Sequence, residues 1–395
     1  MCLLNGRTKI GNYVKGYDDY IGGGAYGEIY CVKANDKPYA LKIDTDPNPT
    51  GEWNEFNFLE ELKDNENIIS TVSPVHDDFE IKGNLYRYFV MEYIESTFRY
   101  TGGDTPIEKD SDLYTFHEVY CGSEEKIPIN EVMDIMKQIC NGMVYCHNKA
   151  ILHNDLKLDN IMLKLEEPTD NSTSNKISRA FHKKYSFEQN IVVKIIDFGK
   201  ATMADRNIND NKVKGHEEFT PPDSEQNTTK KDVFSIGVIF YKLLTNNSPY
   251  VKKEKEIIGD ATRKDRSTPI YNGNNKKQFE IVRFKKEEEL KKELESAEKD
   301  IPGISEIVLK SLKKDSEYRY KNAGELLKEI KKLEERSTLN VLALIIYFSL
   351  FAICLAAHAE RTIMALTWSL LLPIIPTLMV VFFHSIEEKV SSINF

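Results

Sequence analysis

The chain has 395 residues, 41% of them hydrophobic and 29% charged, so it is long enough for one large domain or two average ones and too apolar to be disordered. Its net charge of −9, with no basic stripe to neutralise phosphates, argues against nucleic acid as a partner. Cys2, Cys31, Cys121, Cys140, Cys146 and Cys354 form no CxxC pair and the start has no sustained apolar run, so reduced thiols and no cleaved signal peptide are expected.

Residues 1–16 read as an N-terminal segment. Over residues 1 to about 125, short β-like runs alternate with turns, among them Glu28–Lys33 and Tyr86–Met91. Gly22-Gly-Gly-Ala-Tyr-Gly27 lies between such runs, with Ile21 before it and Ile29-Tyr-Cys-Val after it. A dinucleotide fold needs strand, turn and helix in that order. Strand, turn and strand instead suit a flap over nucleotide phosphates, where Gly22, Gly24 and Gly27 let backbone N–H groups approach the oxygens. A glycine-rich turn is weak evidence alone.

Lys42 follows in the strand-like run Tyr39-Ala-Leu-Lys-Ile43. An isolated strand lysine ordinarily snorkels outward. Placed this far after the flap, Lys42 is set to reach the α- and β-phosphates, given a carboxylate to orient it. The helix-like segment Glu52–Lys63 offers Glu55, with Leu59 and Leu62 on a spacing that buries one face; Glu60 and Glu61 are the alternatives.

Residues 101–126 look like an insertion. Residues 130–148 carry apolar positions at helical spacing (Val132, Ile135, Met136, Ile139, Met143), and 166–190 form a polar insert with little to bury. From 228 onward the spacing is mostly helical. A strand-rich part followed by a helix-rich part predicts an α+β fold with two lobes.

The strongest signal is His153-Asn-Asp-Leu-Lys-Leu-Asp-Asn160, followed beyond the insert by Ile195-Ile-Asp-Phe-Gly199. With the flap and Lys42 ahead of it, this ordered set resembles the eukaryotic-type protein kinase superfamily over roughly residues 17–335. The resemblance implies a bilobal protein-kinase-like fold, with a β-rich N-lobe at about 17–92 and a helical C-lobe at about 95–335. It implies ATP and Mg²⁺ as cofactors and a protein as substrate. Asp155 would accept the acceptor hydroxyl's proton or orient the hydroxyl, and Lys157 would lie beside the γ-phosphate. Asn160 and Asp197 would hold Mg²⁺, while Lys42 with Glu55 would position the phosphates. Adenine would lie between the lobes: Met91 gates the back of its pocket, Glu92-Tyr93-Ile94 forms the connector, and Ile29, Ala40 and Met162 form apolar walls.

Further motifs fit the resemblance. Thr220-Pro-Pro-Asp223 resembles the family's Ala-Pro-Glu segment, Asp232 the aspartate that braces the catalytic loop, and Arg319 the arginine that pairs with the Ala-Pro-Glu acid, here Asp223. Three positions depart from it. Asn154 replaces the arginine that gathers a phosphate on the activation loop, which implies activity without loop phosphorylation or regulation by another route. His216 stands where Ser/Thr-directed members carry a threonine, and Asp223 is one methylene shorter than Glu. Lys157 still points to Ser/Thr acceptors.

Residues 339–357 and 362–383 contain no charge, and only His358-Ala-Glu-Arg361 separates them. At about 1.5 Å per residue each reaches roughly 28–33 Å, the thickness of a hydrocarbon core. These runs predict a transmembrane helical hairpin over 338–384, with Pro373 and Pro376 kinking its second span, and a tail at 385–395. Lys328, Lys331, Lys332 and Arg336 ahead of the first span would hold the kinase domain and the tail on the cytoplasmic side. The reading is therefore an ATP-dependent, Ser/Thr-directed protein kinase acting at a membrane surface, a multi-pass protein with the membrane as a partner. The alternative is a membrane-anchored pseudokinase scaffold. A small-molecule kinase is disfavoured by the downstream motifs, and a transporter by spans that carry no charge.

Overall fold

The computed structural model describes residues 3–4, 8–24, 27–49, 53–72, 77–95, 98–100, 107–109, 117, 126–166, 190–204, 216–222, 228–255, 278–359 and 379. Contacts divide the chain into two units, Met1–Leu333 and Glu334–Phe395.

The first unit is bilobal, with a β-sheet lobe followed by a helical one. Its N-terminal lobe is a six-stranded sheet of β1 (Thr8–Ile10), β2 (Tyr13–Gly24), β3 (Gly27–Ala34), β4 (Lys37–Ile43), β5 (Asp77–Ile81) and β6 (Asn84–Glu92). The spatial order is β1-β2-β3-β4-β6-β5 and every pairing is antiparallel. Turn chemistry sets two of the hairpins. Asn35-Asp36 joins β3 to β4 and Lys82-Gly83 joins β5 to β6, each a two-residue loop with positive φ at both positions, which matches the twist of the strands it connects.

Alternation along the strands gives the sheet two apolar faces. On one, Tyr30, Val32, Leu41, Ile43, Tyr88 and Val90 pack with Leu4 and Ile10, so the N-terminal segment joins the lobe rather than preceding it. The other carries Ala40, Phe89 and Met91 against α1 (Asn54–Leu62), which buries Glu55, Phe56, Leu59 and Leu62. A short hairpin follows, β7 (Phe98–Tyr100) just ahead of the stretch 101–126 read as an insertion and β8 (Ile107–Lys109) inside it.

The helical lobe is built on α2 (Ile129–Asn148), whose buried stripe includes Val132, Ile135, Met136, Ile139 and Met143. Two small two-stranded sheets follow it: β9 (Ile151–Leu152) with β12 (Thr202–Met203), and β10 (Ile161–Glu166) with β11 (Asn190–Ile195). Then come α3 (Thr229–Thr245), apolar nearly all round and buried accordingly, the hairpin β13 (Tyr250–Lys255) with β14 (Gln278–Phe284), α4 (Glu287–Asp300) and α5 (Ile304–Ser311). The first turns of α6 (Ala323–Ala359) close the unit by burying Leu326, Leu327, Ile330 and Leu333.

The expected membrane hairpin is corrected here. Among the described residues no helix is long and apolar enough to cross a membrane. Residues 339–357 do not form a helix of their own; they continue α6, which starts in the charged sequence around Glu325, Lys328 and Lys332. Absence of charge over a sufficient length does not by itself define a span. Residues 362–378 and 380–383 of the second run lie outside the described residues, as does the tail 385–395. The expectations that hung on the hairpin fall with it: the transmembrane part of the fold, the multi-pass location with a cytoplasm-facing kinase domain, the membrane as partner, the membrane-anchored scaffold, and action at a membrane surface.

Candidate active site

Strand alternation decides where Lys42 goes. Leu41 and Ile43 face one core, so Lys42 shares the opposite face with Ala40 and meets α1. There Glu55 lies on the buried stripe one position before Phe56, and Lys42 Nζ is 2.5 Å from Glu55 Oε1 and 3.1 Å from Asp197 Oδ1. Glu60 and Glu61 are not part of this contact: Glu60 binds the Thr71 hydroxyl and Lys63, and Glu61 is exposed. Burial works against the charge on Lys42, but the carboxylates of Glu55 and Asp197 outweigh it and hold its pKa above the ordinary lysine value. Glu55 Oε2 is buried and has no hydrogen-bond partner among the described residues.

Asp197 reaches this point because β10 and β11 pair with Ile161 opposite Ile195, which sets Asn160 beside the residues that follow β11; Ile196 N–H donates to Asn160 O at 2.9 Å. Asp197 has φ of +61°, and Phe198 next to it is buried against the His153 ring at 4.7 Å. Burial raises the Asp197 carboxyl's pKa, yet Lys42 overcomes this and holds it below the usual range. The Asn160 side-chain N–H donates to Asp155 O at 2.8 Å, which leaves the amide oxygen as its remaining donor atom for a ligand. A carboxylate and an amide oxygen side by side fit a hard cation such as Mg²⁺, which keeps waters and phosphate oxygens for its other positions. Among the described residues no group of three or more His, Cys, Asp or Glu is arranged to hold a metal without such help.

Asp155 lies on a loop fixed from below by Asp232, a fully buried residue in the first turn of α3. Its carboxylate accepts the N–H groups of His153 and Asn154, both at 3.0 Å, and lies 3.2 Å from His147 Nε2. Burial opposes its charge, but the His147 contact and the loop N–H groups prevail and hold its pKa below the ordinary carboxylate range. Asp155 itself accepts the His216 backbone N–H on Oδ1 at 2.9 Å and pairs through Oδ2 with Lys200 Nζ at 3.0 Å. Thus the backbone of His216 supplies a bond at the position where a threonine was expected. Its imidazole is held below the ordinary histidine pKa by burial and by nearby Lys157. Lys157 lies in the same loop, half-buried, its ammonium 4.0 Å from Asp159.

Above the site, β2 and β3 form the flap, with Gly24 opposite Gly27 and Gly22 opposite Ile29. Gly27 has φ of +150°, and a Cβ there would lie 2.6 Å from Ile43 O and 3.3 Å from Lys42 Cε, so the close approach of flap to lysine strand requires glycine. Ala40 pairs with Met91 across β4 and β6, Ile94 is buried, and Ile29 and Met162 are half-buried against the same core. Glu92 is fixed by more than its backbone. Its N–H donates to Ser70 O, its carboxylate accepts Ser70 N–H, and Lys194 and Lys164 lie 2.8 and 3.6 Å from it.

Two residues here escaped the sequence reading, Lys200 on Asp155 and Lys194 on Glu92. Both partners are distant in sequence, and neither lysine had a local signal beyond the neighbouring Asp-Phe-Gly motif. Arg319 differs in another way: its guanidinium donates to the carbonyls of Lys313 and Lys314, both at 2.6 Å, and lies over the Phe234 ring, while the expected partner Asp223 lies outside the described residues. A surface groove between α4 and α5, lined by Glu287, Lys291, Glu298, Lys310 and Lys313, is separate from this site; Lys291 and Lys313 are both paired to Glu287.

The family model described as "Protein kinase domain" matches residues 17–329. A probable serine/threonine-protein kinase of Clostridium acetobutylicum is 25% identical over 211 residues, covering 52% of this chain and 25% of that protein. Cyclin-dependent kinase B2-2 of Arabidopsis thaliana is 29% identical over 42% of this chain and 51% of its own length. Calcium-dependent protein kinase 4 of Plasmodium falciparum is 26% identical over 63% of this chain and 40% of its own. The chain thus spans between a quarter and about half the length of these relatives.

Proposed function

This chain belongs to the protein kinase family, a family of phosphotransferases, and from that premise we propose that it moves the γ-phosphate of ATP to serine or threonine hydroxyls of a protein substrate. The observation that carries the reading is the joint placement of Lys42, Glu55 and Asp197, with Asn160 and Asp155 on the adjoining loop. Lys42, held charged and oriented by Glu55, positions the α- and β-phosphates beneath the flap of Gly22, Gly24 and Gly27. Ile29, Ala40, Met91, Ile94 and Met162 take the adenine, and the Glu92–Ile94 connector offers it backbone groups. Asn160 and Asp197 hold Mg²⁺, which when bound neutralises charge on the phosphate oxygens. Asp155 orients the acceptor hydroxyl or takes its proton, and Lys157 lies beside the transferring group.

The segment between Asp197 and Asp223 supports activity without loop phosphorylation. Its only serine, threonine or tyrosine residues are Thr202 and Thr220. The Thr202 hydroxyl is buried and accepts a hydrogen bond from Asn154, and that of Thr220 donates to His216 O. Asn154, in place of an arginine, binds this segment directly and needs no phosphate to do so.

The test is γ-labelled Mg-ATP with the full chain and generic protein substrates, followed by phosphoamino-acid analysis. Phosphoserine or phosphothreonine is the expected product. Phosphotyrosine would overturn the acceptor assignment, and nucleotide binding without transfer would favour a pseudokinase.

A further inference from the structure

Asp155 has a cation on it that the roles above do not use. Lys200 Nζ lies 3.0 Å from Asp155 Oδ2, whereas the ion-pair partner of Lys157 is Asp159. Lys200 is held from its backbone. The Asn154 side-chain N–H donates both to Lys200 O at 3.1 Å and to Thr202 Oγ1 at 2.9 Å, Ala201 N–H donates to Phe198 O, and Thr202 pairs with Leu152 across β9 and β12. Asn154 is itself buried at φ of +65°, a conformation asparagine tolerates better than most residues. So the residue before Asp155 clamps the backbone of the residue whose side chain grips Asp155.

We infer that Lys200 is a positioning residue: with the His216 N–H on the other oxygen, it fixes the plane of the Asp155 carboxylate against the acceptor hydroxyl. This rests on the kinase reading and on Asp155 as the group that meets the acceptor. In the step, an acceptor oxygen lone pair forms the new bond to the γ-phosphorus. The bond from that phosphorus to the β-bridging oxygen breaks, its electron pair leaving with ADP, and the acceptor proton passes to the carboxylate. A carboxylate free to rotate would lose alignment in that step more than in binding, so the contribution belongs to kcat. A charge-assisted hydrogen bond of this kind corresponds to a factor of about ten to a hundred.

The experiment compares steady-state kinetics of the full chain with Lys200→Met, Lys200→Arg, Asn154→Gly and Asp155→Asn. Asn154→Gly removes the clamp while tolerating the positive φ. Lys200→Met should lower kcat about ten- to a hundredfold with the KM for ATP within about twofold, and Lys200→Arg should recover most of the loss. Asn154→Gly should lower kcat in the same sense and add little on top of Lys200→Met, since both act through one contact. An unchanged or higher kcat in Lys200→Met, or an equal loss in Lys200→Arg, would overturn the inference while leaving the kinase reading intact. No transfer by the wild-type chain, or transfer surviving in Asp155→Asn, would instead show the assignment of Asp155 to be wrong, and this inference would fall with it.

Discussion

Asp232→Ala removes the support of the catalytic loop without touching any group assigned to substrate or metal. The wild-type carboxylate is fully buried and takes two backbone N–H groups at 3.0 Å, from His153 and Asn154, beside His147 Nε2 at 3.2 Å. Alanine removes the acceptor that both N–H groups use. An unsatisfied buried donor costs about 1–3 kcal/mol, and water entering the gap recovers part of it, so a net loss of about 3 kcal/mol is expected. The loss is local before it is global, because those two amides flank the turn that presents Asp155. Amide hydrogen exchange reads it directly: the His153 and Asn154 amides should exchange about a hundredfold faster, and kcat should fall while the core amides of α2 keep their protection. Asp232→Asn, which keeps one acceptor oxygen but turns an NH₂ toward the second N–H, should lie between. Unchanged exchange at these two amides in Asp232→Ala would refute the view that this carboxylate holds the loop.

Other outcomes follow from the same geometry. Glu218 is buried between Lys242 at 3.0 Å and Lys252 at 2.9 Å; burial raises its pKa, but the two lysines dominate and bring it to about 2, from an ordinary 4.5. Its stabilising effect is therefore complete above about pH 4.5 and is lost as the pH falls towards 2, a span worth about 3 kcal/mol. Glu218→Gln should flatten that part of the stability-against-pH curve, measured by denaturant titration at each pH. Gly27→Ala should weaken Mg-ATP binding about tenfold in a calorimetric titration, because its Cβ has to displace Ile43 O from the lysine strand. Thr220→Val should leave transfer activity within a few-fold of wild type, as expected where no phosphate on that residue is needed; abolished activity in a folded protein would refute that.

Much of the site was legible in the sequence because its determinants are local. Alternation about Lys42 assigns it the face opposite Leu41 and Ile43, and the spacing of Glu55, Leu59 and Leu62 puts Glu55 on the buried side of α1, where it meets Lys42. The Asn160–Asp197 neighbourhood follows once β10 and β11 are paired, although an insert separates them in the chain. What stayed hidden depends on contacts with no periodic trace. Lys194 and Lys200 have no local pattern to mark them, and only the fold brings Glu92 and Asp155 to them. Leu4 and Ile10 are too few to announce that the first residues join the sheet. The hairpin expectation failed for the opposite reason: a charge-free run is a local signal, and here it extends a helix that begins in charged sequence.

The most direct test of the account is γ-phosphate transfer by the full chain beside Asp155→Ala and Asp197→Ala, with nucleotide binding measured on all three. The account predicts incorporation by the wild type and none by either variant. Asp155→Ala should still bind Mg-ATP, and Asp197→Ala should lose the Mg²⁺-dependent part of that binding. Undiminished incorporation in either variant would contradict the account, as would a wild-type chain that binds Mg-ATP and transfers nothing.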